Sequence, residues 1–121
     1  MLTNEAKKQI LKCLLNYIAD VADKEYQRRI WIRGEGPEVD DFDETVNHFF
    51  GGIDDILEKY KDFGITENQC RILKEFRDEF DTFCRGPALE YYLPQLFIDT
   101  PEWTRITLMA KEVLKAFNYP N

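Results

Sequence analysis

The sequence predicts an all-α fold: a single compact helical bundle over residues 1–121, built from three long amphipathic helices plus two or three short ones. Three observations carry this expectation. Apolar residues recur every three or four positions in three long segments, and capping residues stand where those segments begin. Glycine and proline then punctuate the places where they stop. The 121 residues include 44% hydrophobic and 14% aromatic side chains, enough for one buried core and too many for a disordered acidic tail.

The first helix is capped by Thr3 or Asn4 and carries Leu11, Leu15, Ile18, Ala22, Tyr26 and Ile30 as one stripe over about five turns. The run Ile30-Trp31-Ile32 is β-branched and aromatic, so its last turn is either helical or extended. Gly34, Gly36 and Pro37 end that helix. Asp41 and Glu44 form a capping-box-like pair that opens a short helix with Phe42, Val46, Phe49 and Phe50 on one side, closed by Gly51-Gly52. A second short helix is expected over residues 54–63, with Gly64 as its C-cap.

Thr66 and Gln69 make a full capping box for a helix repeating Leu73, Phe76, Phe80 and Phe83 until Gly86-Pro87. Residues 88–98 are apolar and aromatic around Pro94, with Tyr91, Tyr92, Leu93 and Phe97, and fit a short helical turn or a packed loop. Thr100-Pro101-Glu102 then starts a last helix with Trp103, Ile106, Ala110, Val113 and Phe117 on one face. Short connections place consecutive helices side by side.

Cys70 and Cys84 fall on one predicted helix about 21 Å apart, beyond disulfide reach, and no C-x-x-C pair occurs with Cys13. Free thiols and a cytoplasmic location are expected, with the cysteines acting as small buried hydrophobes. Lys12 and Asn16 interrupt the first apolar run, so it reads as an amphipathic helix and not as a signal peptide or membrane span.

Charge is the most uneven property of the chain. Residues 34–62 hold ten acidic and two basic side chains, a net −8, against +3 for residues 1–33 and −2 for residues 63–121. Such a field repels nucleic acid and anionic membranes and attracts basic partners. Arg28, Arg29 and Arg33 stand just before the acidic stretch and are expected to pair with it.

Asp40, Asp41, Asp43, Glu44 and His48 bring oxygen ligands and one imidazole together, so divalent-metal binding is an alternative reading. The spacing argues against it. Phe42 stands where an EF-hand needs its second ligand, and the Glu-x-x-His pattern of di-iron bundles is replaced by a single Glu-x-x-x-His. No nucleophile motif or phosphate-binding glycine loop accompanies His48. No cofactor, no metal and no catalysis are therefore expected.

Docking is the sharper reading of the acidic segment, because Trp31, Phe42, Phe49, Phe50 and Tyr60 flank it as potential anchors. The candidate partner-binding set is Trp31 as anchor, with Glu38, Asp40, Asp41, Asp43, Glu44, Asp54, Asp55 and Glu58 as steering charges. In size, acidity and helical content, with an acidic stretch set in a helical bundle, the whole chain resembles the small bacterial immunity proteins of colicin-type and contact-dependent inhibition systems. That resemblance implies stoichiometric inhibition of a basic toxin domain, with carboxylates occupying a cationic groove or covering a nearby exosite. A monomer or weak homodimer is expected, and a self-associating structural domain is a further alternative.

Overall fold

The computed structural model describes residues 2–37 and 40–120 and is an all-α bundle with no strand among them. The helices are α1 (Asn4–Ala22), α2 (Lys24–Tyr26) continuing as a π-helical segment (Gln27–Ile32), α3 (Phe42–Glu58), α4 (Glu67–Arg85), α5 (Pro87–Tyr91), α6 (Pro94–Phe97) and α7 (Pro101–Ala116). Four are long, where the sequence leads one to expect three. Helix α7 lies against both α1 and α4, and α1 also packs on α3. Helices α3 and α4 approach less closely, and phenylalanine rings fill the space between them: Phe49 meets Phe76 at 5.4 Å and Phe80 at 5.5 Å.

Local capping starts the long helices as the residue types require. Thr3, Asp41, Thr66 and Thr100 each accept a backbone N–H from three residues ahead, satisfying one of the donors that a helix start leaves without a partner. At Thr66 the box is complete, since the Gln69 side chain returns to the Thr66 N–H at 2.9 Å.

Two departures from the sequence expectation shape the bundle. The first stripe does not run through one helix, because Asp23 takes extended angles (φ −118, ψ 95) and ends α1. The Asp23 carboxylate then caps α2 by accepting the Tyr26 N–H at 3.1 Å. The chain next widens into π-helical turns that bring Gln27, Ile30 and Trp31 inward together. Gln27 is fully buried, and its amide donates to the carbonyls of Asp20 at 2.9 Å and Val21 at 2.8 Å in the last turn of α1. Its Oε1 accepts the buried Trp103 Nε1–H at 2.8 Å.

The second departure is continuity across Gly51-Gly52, where two short helices are expected and one long α3 forms. Each mid-helix glycine costs roughly 1 kcal/mol relative to alanine. Phe49, Ile53 and Ile56 keep helical register across the pair and are all buried, each contributing about 1.5–3 kcal/mol, so burial wins. The turns over residues 59–64 close α3, and Gly64 adopts φ +73 there.

The core centres on Trp103, whose ring lies 5.0 Å from Phe83, 5.1 Å from Phe97 and 6.0 Å from Phe80. Phe80→Ala should therefore cost roughly 3–5 kcal/mol in chemical denaturation, and a near-neutral result would reject this packing. Space is open where a Cβ would stand at Gly51. Gly51→Ala is expected to raise stability by about 0.5–1 kcal/mol; a loss would show that the helix is not continuous there.

Candidate functional site

Helix α3 is the element that displays the acidic segment. At about 100° per residue, Asp43, Glu44, Asp54, Asp55 and Glu58 fall within a single arc of roughly 120°. All five are exposed, while Phe49, Ile53 and Ile56 occupy the opposite, buried side. No lysine or arginine interrupts α3. Helix α4 differs: there Arg71 pairs with Glu75 at 3.1 Å, Lys74 with Asp78 at 3.7 Å, and Arg85 with Asp81, so its surface neutralises itself.

The helix dipole treats the two ends of this acidic arc differently. Asp43 and Glu44 sit in the first turn, where negative charge is favoured by about 0.3–1 kcal/mol. Asp54, Asp55 and Glu58 sit toward the C-terminal end, where the same field opposes them, and Asp54 and Glu58 repel each other at i,i+4. Among the described residues, only Asp54 of these three is ion-paired, to Arg77 at 3.2 Å. Folding alone does not favour Asp55 and Glu58.

Two members of the sequence-predicted set have different positions from those expected. Trp31 is no projecting anchor, for it is only 9% exposed, and its Nε1–H donates to Asp40 Oδ2 at 3.2 Å. Asp40 is half-buried rather than fully exposed, and the same oxygen also accepts the Tyr26 hydroxyl at 2.8 Å and the buried Thr45 hydroxyl at 3.0 Å. A carboxylate accepts several hydrogen bonds at once, so Asp40 joins α2, the π segment and α3 at one point. That junction sets the rotation of α3 about its axis. Asp41 remains exposed while its Oδ1 caps the helix by accepting the Glu44 N–H at 2.8 Å. Glu38 lies outside the described residues.

Of the basic residues before the segment, Arg28 pairs outside the acidic stretch and Arg33 pairs within it, as expected. Arg28 reaches Asp99, before α7, at 2.6 Å, while Arg33 pairs with Glu35 at 3.0 Å. His48 stacks on Tyr17 with ring centroids 5.1 Å apart. Among the described residues no three His, Cys, Asp or Glu side chains are gathered in a metal-binding cluster.

Sequence reasoning missed a second feature. Between the start of α3 and the corner formed by α5 and α6 lies a cleft of about 480 Å³. Trp31, Phe42 and Val46 form one side, Ala88, Leu93 and Pro94 another, and Asp41 and Asp43 stand at its edge. Cys84 also lines it; burial, reinforced by the charges of Asp81 and Asp43, pushes its thiol up to about 12, so it remains a neutral, apolar contributor. Cys13, in contrast to the expectation of burial, is exposed on α1.

The rim of the cleft is apolar and outward-facing. Leu89 is 72% exposed and Tyr92 81%, with Leu93 and Leu96 also exposed. Tyr92 has φ +75 and ψ −41, the centre of a γ-turn closed by the Leu93 N–H donating to the Tyr91 carbonyl at 2.9 Å. A bulky residue in that region costs about 1–3 kcal/mol. The signal was present as two prolines, Pro87 and Pro94, each starting a helix too short to bury more than one side of an apolar run. Tyr91 is held instead to α7, its hydroxyl donating to Glu102 at 3.4 Å.

Asp40→Ala should destabilise the fold by about 2–3 kcal/mol, because it strands three donors, two of them on buried residues; Asp43→Ala should stay within about 0.5 kcal/mol. Thermal melts of the two variants check this, and equal effects would overturn the assignment. The chain matches no protein-family model, no curated protein and no solved structure.

Proposed function

We propose that this chain is a non-catalytic binding protein for a basic partner. Most concretely, it is an immunity-type inhibitor that neutralises a cationic, nuclease-like toxin domain in the bacterial cytoplasm. One observation carries the reading: α3 presents Asp43, Glu44, Asp54, Asp55 and Glu58 on one exposed arc with no basic residue in the helix. Three of those acids oppose the dipole of their own helix. A solubilising surface has no need to concentrate charge where it weakens the helix, whereas a docking surface gains steering and on-rate from it. Glu44, Asp55 and Glu58 have the least structural employment and are the principal steering charges; Trp31 and Asp40 hold the scaffold behind them. The chain acts as a monomer or weak homodimer, its net charge of −7 opposing tighter self-association.

The reading is tested by replacing Glu44, Asp55 and Glu58 together with lysine. Stability should hold, because Asp55→Lys and Glu58→Lys complement the dipole at the helix C-terminus and offset the favoured first-turn charge lost at Glu44. Association with a basic protein captured by the wild-type chain from source-cell extract should slow by on the order of tenfold or more at low salt, with the difference shrinking as salt is added. Stoichiometric loss of the captured protein's activity should accompany binding. Capture of the same proteins by the wild type and the reversed variant, with the same salt dependence, would eliminate the proposal.

A further inference from the structure

We propose that the cleft between the start of α3 and the α5–α6 corner is the anchor site for an arginine or lysine side chain of the partner protein. That side chain is carried on an apolar segment that seats over Leu89, Tyr92 and Leu93. The inference rests on the reading of the chain as a binder of a basic protein, and it locates where that partner is gripped.

Charge complementarity selects the occupant. Among the described residues, Asp41 and Asp43 are the only charged ones lining the cleft, and the others are apolar or neutral. A long cationic side chain fits this division: its methylene stem lies along Val46 and Leu93 while its head reaches the carboxylates at the edge. An apolar neighbour in the partner then covers Leu89 and Tyr92, which otherwise expose large hydrophobic surface to water. Tyrosine in such a position is a frequent energetic anchor of interfaces.

The backbone supplies an independent argument. Glycine would occupy φ +75 without strain, yet this position holds a tyrosine whose ring packs little within the chain and is 81% exposed. The strain therefore buys nothing inside the fold that glycine would not supply, and it projects an aromatic ring beside the cleft. A second copy of the chain is a poor occupant, because it would bring its own Asp41 and Asp43 to the same carboxylates. The groove between α1 and α3 is less selective, since Lys7 and Lys59 line it along with Asp55 and Asp62.

The test is a nuclear magnetic resonance titration of the isotope-labelled full chain with a short capped peptide alternating leucine and arginine. Two control peptides carry citrulline, which keeps the stem without the charge, or glutamate in place of arginine. Saturable shifts are expected at the Trp31 indole N–H and the amides of Val46, Ala88 and Leu93. Affinity should fall about tenfold for the citrulline peptide and for the Tyr92→Gly and Leu89→Ser variants. Tyr92→Gly should melt at the same temperature or higher, which separates lost contact from lost fold.

Shifts confined to residues 54–58, or affinity unchanged in both variants, would overturn the cleft while leaving the charged surface of α3 intact as a docking face. Failure of every peptide to bind would overturn the cleft as well. Indifference of captured proteins to the lysine reversal on α3 would remove the underlying reading. Concentration-dependent light scattering of the wild type that disappears in Tyr92→Gly would assign the cleft to a second copy and refute a basic occupant.

Discussion

The fold depends on one buried hydrogen bond, from the Trp103 indole N–H to Gln27 Oε1 at 2.8 Å. Both residues are fully buried, so each polar group needs a partner inside the protein. Trp103 stands in the first turn of α7 and centres the aromatic core; Gln27 begins the π segment and donates to the Asp20 and Val21 carbonyls at the end of α1. One amide side chain thus joins the break in the first helix to the middle of the core. Replacing this arrangement by an uninterrupted first helix would leave the indole N–H without its acceptor.

A second polar junction transmits that geometry to the surface. The π segment turns Trp31 inward, and Asp40 collects Trp31, Tyr26 and Thr45 on one carboxylate oxygen. Because Thr45 is in α3 and the other two precede it, this contact orients α3. With α3 held, Phe49, Ile53 and Ile56 face the core, and the acidic arc faces water. The buried hydrogen bonds and the exposed charges are therefore parts of one arrangement.

Most of the chain satisfies its local preferences, with capped helix starts, buried apolar stripes and paired charges on α4. Departures concentrate in two places: the acids near the C-terminal end of α3, and Tyr92 with its exposed apolar neighbours. Local rules broken without any gain inside the fold are the usual mark of surfaces shaped by something outside it. The two places border the same helix, which is why the proposed recognition draws on both.

The sequence by itself determined the all-α class and the starts of the long helices at Thr3, Asp41, Thr66 and Thr100. Each of these depends on residues three or four positions apart, a distance over which capping and helical periodicity act. Tertiary structure decided what those local rules leave open: the break at Asp23 and the π turns after it, the continuity of α3 across Gly51-Gly52, and the inward fate of Trp31 and Asp40. The Gln27–Trp103 bond spans 76 residues. Burial against such distant partners outweighs propensities of about 1 kcal/mol, so neither the break nor the continuity is encoded in the neighbouring residues alone.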